Sequence, residues 1–287
     1  MNLQTILFLD GSETSEFLLN YIIKTKKFNI KKVIISPNCK KRFINKVKKK
    51  FVTVISNLKK DNNLDKYDIG FSYYDFKVPL KILKKFKIGI INFHPSFLPY
   101  NRGRHSVFWA VNDLTPLGAT SHWMNQNFDD GELFLQKKIK NIKFKNAKTL
   151  YALQLKSLNI IIKDTIKLIL KNKFIRKKQD FKKATYHYAS EIKAASTINI
   201  NQKIDSHHFF RLIQSTTFNN KTGIFLINGK RESFITSNYL VKKNYYKKKY
   251  DIDLNNIFKE INKIKKISYE IFLGRFKIII KSKLKNE

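Results

Sequence analysis

The sequence predicts an α/β fold: a mostly parallel sheet covered by helices on both faces, followed by a small C-terminal α+β or β domain. Three observations point to it. Apolar runs of strand length alternate with helical patterns from residue 5 to residue 93, as crossover connections in a parallel sheet require. A long amphipathic pattern covers Ala147 to Leu170, with Leu150, Leu153, Leu155, Leu158, Ile161 and Ile162 among its apolar positions. Beyond residue 200 the order changes to one helix and two hairpin patterns. Residues 1–177 therefore read as the main domain, 178–200 as a linker, and 201–287 as a small C-terminal domain.

The elements follow in order. Thr5–Leu9 is a buried strand ending in Asp10-Gly11, and Ser12 to Glu16 opens a helix with Leu18, Leu19, Ile22 and Ile23 on one face. Gly11 by itself signals only a turn. Val33–Ile35, Phe51–Ile55, Asp68–Tyr74 and Ile88–Phe93 read as further strands. Lys40–Lys50 is a basic helix with a solvated face, and Leu80–Phe86 a short helix. His105–Val111 is expected to be helical, and Ala119–Met124 and Leu133–Ile139 are strands bracketing the loop Asn125–Gly131. Charge rises and apolar periodicity fades over Lys171–Lys183. Asp205–Ser215 then reads as a helix. Gly223–Asn228 and Glu232–Thr236 read as a hairpin about Gly229-Lys230, and a second hairpin turns at Leu273-Gly274-Arg275. Residues 240–265 are lysine-rich and show no assignable pattern.

The bulk properties bound the class. At 287 residues and 43% apolar content, the chain can bury a core. A single cysteine, Cys39, excludes an intrachain disulfide and a Cys-rich zinc site, which suits a reducing cytoplasm. The N-terminus lacks a basic leader, and no apolar run approaches a membrane span, so a cytoplasmic protein is expected, with no membrane partner. The formal net charge of +37 admits two readings. Lysine, rather than arginine, supplies it, and Asn, Ile, Phe and Tyr are also abundant, as in a composition drifted toward A- and T-rich codons. The other reading is a polyanion partner such as nucleic acid.

One window departs from that composition. Seven arginines leave 51 lysines, yet none lies between Lys87 and Lys137. Even scatter would place roughly nine there. The window contains Asn92-Phe93-His94-Pro95-Ser96, then Leu98-Pro99, Arg102-Gly103-Arg104, Gly118, Thr120, and Asp129-Asp130-Gly131. Asn92 and His94 are two residues apart at a strand end, on one side of an extended chain, where open α/β sheets bind ligands. An amide, an imidazole and a carboxylate are groups able to donate to an oxyanion and to accept a proton. Taken singly, the same residues read as a structural histidine, a turn asparagine and a surface Asp-Asp-Gly turn.

This ordered set resembles the folate-dependent formyltransferases, closest in look to the sugar-nucleotide N-formyltransferases and methionyl-tRNA formyltransferase. The resemblance implies a Rossmann-like main sheet and transfer of a formyl group from 10-formyltetrahydrofolate to a primary amine, without a metal. It assigns Asn92, His94 and Asp129 as catalytic, with Asp129 rather than Asp130 matching the family's aspartate. It places the folate co-substrate against Phe76, Val78 and Ile90 on one side and Asn125, Gln126 and Asn127 on the other. Phe76 departs from one branch, which has arginine there. Ser96, Arg102 and Arg104 become the expected substrate contacts, and Arg102 or Arg104 could equally bond local carbonyls to hold its loop. His105 and His122 lack a family match and read as a helix-start and a strand residue. Lys178-Gln179-Asp180 with Ala184-Thr185-Tyr186 resembles the linker of two-domain members. The expected acceptor is a dTDP- or UDP-linked amino sugar. Methionyl-tRNA is the alternative, which would make tRNA a partner, and a non-enzymatic polyanion binder is the second. A homodimer is compatible with either enzyme.

Overall fold

The computed structural model describes residues 2–51, 54–55, 66–140, 142, 145–218, 224–228, 231–240, 255, 268–273 and 276–283. In chain order the elements are β1 (Leu3–Leu9), α1 (Glu13–Thr25), β2 (Phe28–Ile35), α2 (Lys41–Lys48), β3 (Val54–Ile55), β4 (Tyr67–Tyr73), α3 (Leu80–Leu83), β5 (Phe86–His94) and the two-residue β6 (Arg102–Gly103). Next come α4 (Ser106–Asn112), β7 (Gly118–Trp123), β8 (Leu133–Lys138), α5 (Ala147–Leu170), β9 (Tyr186–His187), α6 (Glu191–Ala195), β10 (Thr197–Asn199) and α7 (Ser206–Thr216). The chain ends with β11 (Ile224–Asn228), β12 (Arg231–Leu240), β13 (Ser268–Leu273) and β14 (Phe276–Lys283). Two compact units form, each discontinuous in sequence: Met1–Gly103, Pro116–Ile139 and Leu153–Tyr186 in the first, and Arg104–Thr115, Lys140–Ala152 and His187–Glu287 in the second.

The first unit is built on a seven-stranded sheet of order β3-β2-β1-β4-β5-β7-β8. The neighbours from β3 through β5 run parallel, while β7 is antiparallel to both β5 and β8. This is the expected α/β architecture with a mostly parallel sheet. Its strands are apolar on both faces because both faces are covered. Alternation sorts the side chains. Leu7, Leu9, Ile91, Phe93, Ala119 and Trp123 enter the larger core with α1 and α5, whereas Ile6, Phe8 and Ile90 enter the opposite core with Val78 and Ile82. Helix α1 starts as its sequence dictates. Ser12 caps it, accepting from Ser15 N at 3.4 Å, and Glu13 and Glu16 sit in the first turn, at the positive end of the helix dipole.

The second unit carries a five-stranded sheet of order β10-β11-β12-β14-β13, parallel only at β10–β11. Both expected hairpins are present as the pairs β11–β12 and β13–β14. Gly223 and the expected turn residues Gly229-Lys230 and Gly274-Arg275 lie outside the described residues, as do 241–254 and 256–265. Helix α7 is capped by Asp205, whose carboxylate accepts from His208 N at 2.9 Å, and Arg211 Nε donates to Asn112 O of α4 at 3.1 Å.

Phe71 is fully buried in β4, edge-to-face with Phe28 and stacked on Phe93. Phe71→Ala is expected to lower unfolding free energy by about 3–5 kcal/mol, read by chemical denaturation, because it removes both the burial and the packing around it.

Candidate active site

The site lies on one face of the sheet at the end of β5. Ile90 belongs to the smaller core, so the period of two places Asn92 and His94 on that same face. Strand β7 runs antiparallel beside them, with Asn92 directly opposite His122 and His94 directly opposite Thr120. Ser121 and Trp123 take the other face, Ser121 Oγ meeting Thr165 Oγ1 at 2.8 Å and Trp123 joining the larger core. The register therefore brings a second histidine to the site.

The turn after His94 is pinned. Thr120 Oγ1 donates to Ser96 O at 2.7 Å and accepts from Leu98 N at 3.2 Å. Gln154 Nε2 of α5 donates to Pro95 O at 2.6 Å and Gly118 O at 3.1 Å. Asp129 comes from the β7–β8 loop in a left-handed conformation, φ 53°, which non-glycine residues adopt rarely and Asp more readily than most. Gly131 makes the loop possible, since a Cβ there would lie 1.8 Å from Trp123 O.

These elements converge on one carboxylate. Asp129 Oδ1 lies 3.4 Å from His94 Nδ1 and 3.5 Å from His122 Nε2, and its Oδ2 accepts from Gly103 N at 3.1 Å. His122 Nε2 also lies 3.2 Å from Asn92 Nδ2. All four side chains are buried, Asn92 being the most accessible at 9%. Burial alone would raise the Asp129 pKa. The facing His94 and His122 rings and the Gly103 amide reverse that and hold it well below the ordinary carboxylate range.

His122 Nδ1 is 3.0 Å from Trp123 O, which can only accept, and its Nε2 stands between Asn92 Nδ2 at 3.2 Å and Asp129 Oδ1 at 3.5 Å. His94 differs: Nδ1 faces Asp129 and Nε2 faces Asn101 O at 3.5 Å. Both of these groups are acceptors. The site thus combines an amide, two imidazole rings and the carboxylate that both rings face. That set can stabilise negative charge on an acyl oxygen and exchange a proton.

The remaining expected residues are distributed as follows. Val78 and Ile90 are buried together in the smaller core, with Met124 against it, and Met124 N donates to Ile90 O at 2.8 Å. Phe76, Asn125, Gln126 and Asn127 are exposed. Ser96 is fully buried beneath the turn and does not reach the rim. Arg102 spends its guanidinium on the loop: Nε and Nη2 donate to Phe128 O at 3.3 and 2.8 Å, Nη2 is 3.6 Å from Asp130 Oδ2, and the rings of Phe181 and Tyr186 lie within 5.7 Å. Asp130 is engaged by Arg102 and Asn127 Nδ2, so it is Asp129 that meets the histidines. Arg104 is exposed in the second unit. His105 stands at the start of α4, as its position suggests. His122 is a strand residue as expected, but it also belongs to the site, which sequence reasoning misses. The signal that points to it is its alternation with Thr120 in an apolar strand. Cys39 is pushed up to about 11 by burial and by Asp10 and Asp75, which leaves its thiol unreactive.

A depressed carboxylate contributes stability that is fully present above its unfolded pKa, about 3.9, and is lost as pH falls toward the folded value. The difference in unfolding free energy between wild type and Asp129→Asn is therefore expected to shrink as pH falls below about pH 4. Denaturation at a series of pH values checks this.

Comparison with known proteins adds the family. The family model described as formyl transferase matches residues 72–164, the segment from the end of β4 into α5. GDP-perosamine N-formyltransferase of Brucella melitensis is 40% identical over 78 residues, 27% of this chain and 30% of that protein. The match thus spans less than a third of that curated relative. Among solved structures, a 4-N formyltransferase from Francisella tularensis superposes with a TM-score of 0.71 at 23% identity, covering 82% of this chain and 98% of that one. An N-formyltransferase from Helicobacter canadensis, solved with folinic acid and dTDP-3-aminofucose, gives 0.63 at 18% identity, covering 98% and 100%. At these identities the two structures share its fold. The segment that matches the formyl transferase family model, residues 72–164, contains every residue of the Asn92–His122–Asp129–His94 cluster.

Proposed function

We propose that the protein transfers a formyl group from 10-formyltetrahydrofolate to the primary amine of a nucleotide-linked amino sugar. The observation that carries this reading is the buried Asp129 carboxylate shared by His94 and His122, with Asn92 beside it, inside the segment that matches the family. The sugar-nucleotide acceptor is supported by the ligands of the Helicobacter protein, which shares the fold over nearly the whole chain.

The residues present suit a folate. Phe76 and the loop 125–128 are exposed, and Val78 and Ile90 form an apolar floor, a combination that fits a flat ring read by backbone groups. Bound there, the folate supplies an activated formyl carbon. The Asn92 amide and the His94 ring donate to the formyl oxygen as negative charge develops on it. The new amine–carbon bond forms as the carbon–folate nitrogen bond breaks. His94 gives its proton to the departing nitrogen, and the neutral ring then takes the proton shed by the amine, restoring the imidazolium. Asp129 stabilises that charged ring at the start and end of the cycle. His122 keeps the Asn92 amide in its donating orientation.

Turnover is expected with 10-formyltetrahydrofolate and at least one dTDP-, UDP- or GDP-linked amino sugar. Asn92→Ala and His94→Ala are each expected to lower kcat by about 10²–10³-fold. Formylation of methionyl-tRNA in place of the sugars would reassign the acceptor, and unaltered activity in both variants would remove the proposed chemistry.

A further inference from the structure

We infer that Gln179 is a positioning residue for Asp129, and that residues 175–185 form a strap whose hydrogen bonds hold both loops facing His94. Gln179 is buried, and its Nε2 donates to Asp129 O at 3.0 Å and to Gly131 O at 2.7 Å. One side-chain amide thus uses both of its N–H groups on carbonyls either side of Asp130. Its Oε1 has no hydrogen-bond partner among the described residues. The two donors are what this position supplies. They act on the residue whose backbone sits at φ 53°, a conformation that persists when its surroundings over-determine it.

The strap is anchored before and after Gln179. Trp123 Nε1 donates to Ile175 O at 2.8 Å, and the Arg176 guanidinium lies 4.0 Å from the Trp123 ring while bonding Glu132 and Ile88 O. Lys177 and Leu133 exchange backbone hydrogen bonds of 2.7 and 3.0 Å. At the far end Thr185 Oγ1 accepts from Asn101 N at 2.7 Å, and Thr185 O accepts from Arg102 N at 3.0 Å. Asn101 O is the group that faces His94 Nε2. The strap therefore fixes the partner of each His94 nitrogen, Asp129 through Gln179 and Asn101 through Thr185. Arg102, clamped on Phe128 O, adds a third hold on the same loop.

This positioning role rests on the formyl-transfer reading for its effect on rate, and its effect on Asp129 is measurable without turnover. Gln179→Met keeps the volume and removes both donors; Gln179→Glu keeps the shape and replaces the donors with a carboxylate. With the acceptor sugar that the wild type uses, each is expected to lower kcat at least about 10-fold while the KM of both substrates stays within about twofold, with the protein still folded at the assay temperature. In parallel, NMR of ¹³C-labelled aspartate is expected to show the Asp129 carboxylate protonating at higher pH in Gln179→Met than in wild type. His94, His122 and the Gly103 amide, the groups that face it, are no longer held in register. A wild-type kcat, a loss that only tracks the folded fraction, or an unchanged Asp129 titration would overturn the role of Gln179. An inactive wild type with the titration shift intact would instead remove the formyl-transfer reading and leave the positioning role standing.

Discussion

The structure of the site depends on a single buried carboxylate that two histidines share. Asp129 is 8% exposed, and an ionised group so placed persists only when it is paired and hydrogen-bonded. His94, His122 and Gly103 N meet that requirement from three different segments, β5, β7 and the loop ending in β6. Each is placed by backbone geometry. Antiparallel pairing sets His122 across from Asn92, the pinned turn after Pro95 sets the path of the following loop, and Gly131 lets the Asp129 loop pass against Trp123 O. Breaking a pair of this kind leaves an uncompensated buried charge, which typically costs about 3–5 kcal/mol. The carboxylate is therefore tied into the fold itself.

The two histidines share the carboxylate but differ in their other neighbours: His122 meets Trp123 O and the Asn92 amide, and His94 faces Asn101 O.

Much of this is legible in the sequence. The alternation of strands and helices predicts the main sheet, and Pro95 marks the end of β5, so the order of residues alone puts His94 at a strand terminus. The extent of α5 over Ala147–Leu170 follows from its apolar stripe. What depends on pairing between distant segments is not legible. His122 reads as one more strand residue until the β5–β7 register is known. Ser96 reads as a substrate contact, but it is fully buried at a turn whose carbonyl accepts from Thr120. Arg102 reads equally as a substrate contact or as a loop brace, and the carbonyl of Phe128 receives its guanidinium. Gln179 reads only as part of a linker pattern, because its two acceptors lie about fifty residues earlier in the chain.

The most direct test of the shared carboxylate is ¹⁵N NMR of the histidine rings in wild type and Asp129→Asn. The substitution should move the ring resonances of both His94 and His122. Movement of only one ring, or of neither, would contradict the claim that Asp129 ties the two histidines into one site.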